Sequence, residues 1–328
     1  MDHATKTVVS EKKLRIYSGT AHPQLSREIA EHLGSPLGEP NIRRFANGEI
    51  HCRFDESVRG TDVFLIQTHS EPVNANIMEQ LIMIDAAKRA SAKRITVVCP
   101  YYGYSRQDRK AEGREPIAAK LVADLLTVAG ADRMMSVDLH SGQIQGFFDK
   151  PVDHLLAMPV LLDYLRRETD GDLVVVSPDA GRVKVAERYS QALGADLAFV
   201  HKRHVKGMAN SVEARGVIGE VDGRRCVMID DMIDTAGTIV AGADILVDHG
   251  ATEVWAMATH GLLSGPAVDR LKNSKISRVV VTNTVPFPAE KQLENLEVLS
   301  VAKIIADAID AVFEDTSVSE IFGGDNQS

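Results

Sequence analysis

Short, continuous apolar runs rich in β-branched residues alternate with longer segments of helical period along the whole chain, and this alternation narrows the available folds most. In the first half, residues 14–17 are followed by an amphipathic stretch at 22–33. Residues 62–67 (DVFLIQ) precede 74–89, where Ile77, Leu81, Ile84 and Ala87 recur at helical spacing. Residues 95–99 (ITVVC) lead into a polar loop at 100–115, then a helix that Pro116 suits as a first-turn residue, and a strand at 134–137. The second half repeats the rhythm. Strands are expected at 173–177 (LVVVS), 197–200, 226–229, 254–259 and 279–282, with helices at 182–193 and from about 239 to Gly250. Another helix, which Ser264 suits as a cap, lies between the last two strands, and a final helix spans Ala302–Phe313. Uninterrupted apolar strands separated by helices are the pattern of parallel sheets covered on both faces. The expected class is therefore α/β, built from two related domains that are each a mainly parallel sheet flanked by helices.

The length of 328 residues suits two such domains. Pro151 and Pro159 interrupt the pattern near the midpoint. The expected division is a first domain over 1–157, which the C-terminal stretch 302–322 could rejoin, and a second over 158–301.

Charge excludes some partners. With 37 Lys and Arg against 46 Asp and Glu, the net charge is −9, which argues against a protein that grips nucleic acid by neutralising phosphates along its length. Cys52, Cys99 and Cys226 are widely separated and odd in number, so neither a disulfide framework nor a CxxC metal site is indicated. No apolar run approaches the roughly 18 residues of a membrane span, and the N-terminus lacks the basic-then-apolar order of a secretion signal. The expectation is a cytoplasmic protein with no membrane partner.

The segment that carries most chemistry is 227–238, VMIDDMIDTAGT. A strand brings Asp230 and Asp231 to its C-terminal end, and a loop of small and hydroxyl residues (Asp234, Thr235, Ala236, Gly237, Thr238) then opens a helix. Ligands of open α/β sheets bind beyond the carboxyl ends of strands. Backbone N–H groups and hydroxyls at a helix start suit a phosphate dianion, while paired carboxylates suit sugar hydroxyls or a water-held metal. Two adjacent carboxylates at a strand end have no packing purpose. The loop reads as a sugar-phosphate site, and it resembles the ribose-5-phosphate and diphosphate-ribose loop of the type I phosphoribosyltransferases.

Four further segments narrow the resemblance: 44–49 (RFANGE), 100–109 (PYYGYSRQDR), 137–148 (VDLHSGQIQGFF) and 177–181 (SPDAG). In this order with the Asp-Asp loop, the chain resembles the ribose-phosphate pyrophosphokinase family from about residue 14 to 322. That resemblance implies type I phosphoribosyltransferase-like domains and one reaction, in which the 1-hydroxyl of ribose 5-phosphate attacks the β-phosphorus of Mg-ATP to give 5-phosphoribosyl 1-diphosphate and AMP. It implies Lys202 as the catalytic lysine of a loop that closes over the β-phosphate. It assigns Phe45, Asn47, Gly48, Glu49, Arg106 and Gln107 to ATP, the loop Asp230–Thr238 to ribose 5-phosphate, and His140 and Asp179 to Mg²⁺. It further implies a homo-oligomer, hexameric in the family, with the adenine site shared between subunits. The family commonly has Arg two positions after the lysine, where this chain has His204. Either Arg203 takes over that charge or the loop carries a weaker second cation, since His is largely neutral near pH 7.

Phosphoryl-type transfer needs positioning and charge neutralisation more than a covalent nucleophile, and the basic run at 202–206 suits that requirement. The chain has no G-x-x-x-x-G-K-[ST], so it is not an ordinary P-loop kinase. Two alternatives remain at this point: a phosphoribosyltransferase that uses the same loop to consume the diphosphate sugar, and a non-catalytic regulatory homologue. The first would occupy about half the chain and leave 45–49 and 106–107 unexplained.

Overall fold

The structure, a computed structural model, describes residues 12–169, 173–179, 181–203 and 214–322, and does not describe the side chains of residues 202, 203, 214 and 215. The first half contains β1 (Leu14–Ser18), α1 (Pro23–Leu33), β2 (Leu37–Gly38), β3 (Asn41–Arg44), β4 (Ile50–Arg53), β5 (Asp62–Ile66), α2 (Val73–Arg89), β6 (Arg94–Cys99), α3 (Ala118–Ala129), β7 (Arg133–Val137) and β8 (Val152–Leu155). The second contains α4 (Met158–Glu168), β9 (Leu173–Ser177), α5 (Val183–Leu193), β10 (Asp196–Arg203), β11 (Ala214–Ile218), β12 (Arg225–Ile233), α6 (Gly237–Asp248), β13 (Glu253–Gly261), α7 (Ala267–Lys272), β14 (Arg278–Thr282), β15 (Leu296–Leu299) and α8 (Ala302–Phe313).

The first sheet has strand order β2-β1-β5-β6-β7-β8 and is parallel throughout. The second runs β11-β10-β9-β12-β13-β14-β15, with β11 as its one antiparallel member. β3 and β4 form a separate antiparallel hairpin. Central strands β5 and β9 are buried along their full length, as parallel strands covered by helices must be. In the second sheet the chain turns one way from β9 to β10 and the other way from β12 onward. The carboxyl ends of β9 and β12 therefore flank a topological switch point.

Facing sides of the two sheets share one core. Ile16, Phe64 and Val137 meet Val175, Val227 and Val280 there, together with α1, α4, α5 and α8. Each such aliphatic or aromatic side chain contributes about 1.5–3 kcal/mol by leaving water. On the far sides, α2 and α3 cover the first sheet through Met83, Ile84 and Leu126, and α6 and α7 cover the second through Ile239, Leu246 and Leu271. Helix α8 is tied to the first half by Lys12, whose Nζ donates to Phe313 O, and by Arg94, whose Nη1 donates to Asp315 at 2.8 Å. It is tied to the second by Val301 N–H, which donates to Asn283 Oδ1. No helix among the described residues is long and apolar enough to cross a membrane.

Several local expectations change. Strand β12 does not stop before its carboxylates but continues to Ile233, because β13 keeps pairing with it at Met232↔His260 and Ile233↔Gly261. Helix α3 begins at Ala118, with Ile117 at its cap and Pro116 ahead of it. Ser264 does not cap α7, whose N-cap is Pro266; its carbonyl instead accepts from Ala267 N–H.

Candidate active site

The Asp-Asp strand and its loop form one wall of a pocket of about 220 Å³, lined by Asp230 to Ile239 together with Arg106, His140, Asp179 and Arg182. Loop and helix are joined at Ala236, which sits at φ +60 and lets α6 begin at Gly237. The first N–H groups of α6 have no partner within the helix, which makes this end a ready anion site. Arg270 steadies the turn by donating from Nη1 to Thr235 O at 2.9 Å.

Charges in the pocket are paired across elements. Arg182, only 17% exposed, lies 2.6 Å from Asp231 Oδ1 and 3.4 Å from Asp230 Oδ1. His140, three residues past β7, brings Nδ1 to 2.7 Å from Asp231 Oδ2 and equally to 2.7 Å from Arg182 Nη2, and its backbone carbonyl accepts from Arg182 Nη1 at 3.1 Å. Burial raises the Asp230 carboxyl, and the neighbouring Asp231 adds to the effect. For Asp231 burial acts the same way, but the His140 hydrogen bond and the Arg182 charge outweigh it and hold the group ionised. Asp179, just past β9, uses Oδ1 to accept from Gly181 N–H at 2.7 Å and Arg182 N–H at 3.1 Å, shaping the start of α5.

Arg106 reaches the pocket from the loop after β6 and pairs with Asp234 Oδ2 at 2.7 Å, joining the two halves directly. The same two residues also line a larger cleft of about 700 Å³ between the halves, with Tyr101, Ser264 and Lys291 among its walls. Gln107 lines an adjoining cavity with Arg106 and Tyr104. Phe45, Asn47, Gly48 and Glu49 form the turn of the β3–β4 hairpin, held by Phe45 N–H to Glu49 O and Glu49 N–H to Asn47 Oδ1. Phe45 is 54% exposed there, and none of the four lines the pocket or the cleft. The backbone of Lys202 and Arg203 pairs with Arg215 and Ala214 at the end of β10. Their side chains, with His204 and Lys206, lie outside the described residues.

The structure thus gathers His140, Asp179, Arg106 and the whole 230–238 segment, and leaves the hairpin apart. Arg182 is the residue that sequence reasoning missed. Its signal was present, since several carboxylates around one pocket require a cation and Arg182 directly follows the SPDAG segment.

Comparison with known proteins now bears on this geometry. Residues 14–130 match the model of the N-terminal domain of ribose phosphate pyrophosphokinase, and 188–323 match that of the phosphoribosyl synthetase-associated domain. The chain is 58% identical over 313 residues to a ribose-phosphate pyrophosphokinase of Streptomyces coelicolor, covering 95% of this chain and 97% of that one. The chain belongs to the ribose-phosphate pyrophosphokinase family. A second family member, from Bifidobacterium longum, is 57% identical over 316 residues, covering 95% of this chain and 93% of that one. The fold agrees as well: the crystal structure of phosphoribosylpyrophosphate synthetase from Mycobacterium smegmatis superposes with a TM-score of 0.88 at 51% identity, covering 93% of this chain and 100% of that one. As a ribose-phosphate pyrophosphokinase family member the chain is an enzyme, a transferase of diphosphate groups.

Proposed function

We propose that the chain transfers the diphosphoryl group of Mg-ATP to the 1-hydroxyl of ribose 5-phosphate, releasing AMP and 5-phosphoribosyl 1-diphosphate for nucleotide biosynthesis. The observation that carries this reading is the Arg106–Asp234 contact, which brings the loop read as ATP-binding onto the loop read as ribose-phosphate-binding. The N–H groups of Gly237 and Thr238, with the hydroxyls of Thr235 and Thr238, receive the 5-phosphate. Asp230 and Asp231 accept from the ribose hydroxyls. Arg106 clamps the nucleotide phosphates with a planar fork. The 1-hydroxyl oxygen then bonds to the β-phosphorus as the bond from that phosphorus to the α–β bridging oxygen breaks; the hydroxyl proton passes to solvent, and AMP leaves with the bridging oxygen.

Mg²⁺ fits these donors as a companion of the substrate phosphates, because it keeps most of its water and phosphate ligands and takes only one or two protein groups. No group of three or more His, Cys, Asp or Glu side chains among the described residues could hold an ion alone. Asp179 and His140 would contact it, directly or through water, and its charge would neutralise the phosphates in transit. The rest of the reading follows the family: Lys202 as the catalytic lysine, Arg203 as its neighbouring cation, Phe45 to Glu49 holding the adenine of a site shared between subunits, and a cytoplasmic homohexamer. The exposed hairpin and the exposed stripe Ile117, Leu121, Leu125 and Val128 along α3 support such an assembly. The same reading divides the chain into an ATP-contributing unit over 1–157, rejoined by α8, and a ribose-5-phosphate unit over 158–301.

The test mixes purified protein with Mg-ATP and ribose 5-phosphate. AMP appears only when both are present; consumption of the diphosphate sugar with a nucleobase would instead make the chain a phosphoribosyltransferase, and no turnover of either kind a regulator. Lys202→Ala is expected to abolish AMP formation while ribose 5-phosphate still binds, and turnover within a few-fold of the parent removes Lys202 from the mechanism.

A further inference from the structure

Two buried histidines, one from each half, hold the two ends of a single peptide group next to the pocket. His154, on β8 of the first half, accepts from Leu139 N–H through Nε2 at 3.0 Å. His260, on β13 of the second half, donates from Nε2 to Asp138 O at 3.1 Å. Asp138 O and Leu139 N–H belong to the same peptide unit, so one imidazole accepts where the other donates. The partners fix both tautomers. His154 must leave Nε2 unprotonated to accept an amide hydrogen. His260 must protonate Nε2 to face a carbonyl, and its Nδ1 then accepts from Thr284 Oγ1 at 2.9 Å.

Neither ring is there merely because it packs well. Both are nearly sealed from water, at 3% and 1% exposed, and His154 Nδ1 has no hydrogen-bond partner among the described residues. A buried unpaired donor costs about 1–3 kcal/mol, which an apolar residue at the same place would avoid. The braced peptide is also strained. Asp138 has φ +37, a region that L-residues with a Cβ rarely adopt and that costs about 1–3 kcal/mol. Its carboxylate is held from both sides too, by Ala157 N–H at 3.1 Å and by Thr259 Oγ1 across the junction of the halves. One residue beyond this peptide stands His140, whose Nδ1 meets Asp231.

We propose that His154 and His260 are positioning residues: they clamp the 138–139 peptide between the halves and thereby fix where His140 stands against Asp231 and the substrate phosphates. The proposal rests on the role given above to His140, and it assigns a function to two side chains that touch no substrate. It also makes His140 sensitive to the placement of the second half, because one of the two clamps moves with β13.

The test uses the full-length protein with His154→Leu, His154→Gln, His260→Leu and, as control, His140→Ala. Gln keeps an acceptor near the position of Nε2, whereas Leu keeps only bulk. Hydrogen exchange of the amide of Leu139, read on a fragment covering 137–141, is expected to quicken about tenfold or more in His154→Leu, the scale of one lost buried hydrogen bond. Turnover is expected to fall by about 10–100-fold, as for a group displaced by a fraction of an ångström, with ribose 5-phosphate affinity within about threefold of the parent. His154→Gln is expected to recover most of both. His260→Leu should lower turnover from the other side, and it decides the matter if His154→Leu fails to fold. Turnover within twofold of the parent in a folded Leu variant, while His140→Ala is inactive, overturns the clamp. So does a Gln variant no better than Leu. A His140→Ala variant that keeps full turnover removes the role of His140, and with it any catalytic consequence of the clamp.

Discussion

Arg106 illustrates how one contact separates positioning from simple charge. Its side chain is about half exposed, so its pairing with Asp234 at 2.7 Å is worth little to stability by itself. Its value lies in geometry, since the pair presents a planar donor fork at the meeting point of the two halves. Arg106→Ala is expected to raise the KM for ATP by about tenfold or more, the scale of a charge-assisted hydrogen bond to phosphate, while the KM for ribose 5-phosphate moves far less. Arg106→Lys should recover only part of the loss, because an ammonium is a point charge without the fork. Equal rises in both KM values would show instead that the mutation disturbs the whole pocket. The types and spacing at 230–238 were legible in the sequence because phosphate chemistry demands them locally. The partner of Arg106 was not: Asp108 and Glu112 are nearer along the chain, and only the packing of the halves brings Asp234 closer. Arg182 escaped notice for the same reason, as its carboxylate partners lie about fifty residues away.

At the scale of elements, what was legible was whatever the apolar pattern dictates, and what was not depends on a neighbouring strand. Helix α8 falls where the apolar spacing placed it, because eight of its twelve residues are buried and their spacing alone defines the face. β12 outruns its apolar stretch because β13 offers a ladder past the carboxylates. The β3–β4 hairpin left no trace because its strands are only four residues each, with β3 polar and mostly exposed and β4 half-buried without a continuous apolar run. Helix α8 also carries a prediction. Ile305 and Ile309 are fully buried in the core shared by both sheets, so α8 is the element through which the halves lose stability together. Ile309→Ala is expected to cost about 2–5 kcal/mol, transfer and cavity terms combined. In chemical denaturation both halves should lose structure in one transition shifted to lower denaturant. If tryptophan fluorescence from Trp255 in the second sheet shifts without a matching shift in far-ultraviolet dichroism, the shared core is not a single cooperative unit.

Across the whole molecule, the halves meet through a polar seam as well as the apolar core. Thr68 Oγ1 donates to Thr284 O, Thr259 to Asp138, and Asn283 Nδ2 to Glu28, while Arg106 reaches Asp234. Neutral buried imidazoles stiffen the loops that meet at this seam, and His69, whose partners all lie in the first half, is the clearest of them. Gly103 N–H donates to its Nδ1 at 3.0 Å, and its Nε2 donates to Gln80 Oε1 at 2.7 Å, which fixes the loop that carries Arg106. Burial pushes the ring down to about 4, against an ordinary 6.5, despite the opposing hydrogen bond to Gln80. Between these values the unfolded chain binds a proton that the folded chain refuses, so the stability due to neutral His69 is complete above about pH 7 and is lost as pH falls toward 4. At pH 5 the loss amounts to about 2 kcal/mol. His154, also pushed down to about 4 by burial and then by Arg188, acts in the same direction, whereas the raised carboxyl of buried Asp138 acts against it. Because the opposing groups are common to both proteins, the comparison to make is between the parent and His69→Gln, which lacks the titrating ring. The parent is expected to lose about 2 kcal/mol more than the variant between pH 7 and pH 5 in urea denaturation at matched protein concentration. Equal losses would mean that His69 is protonated in the folded protein, and that the loop bearing Arg106 is held by something other than a neutral imidazole.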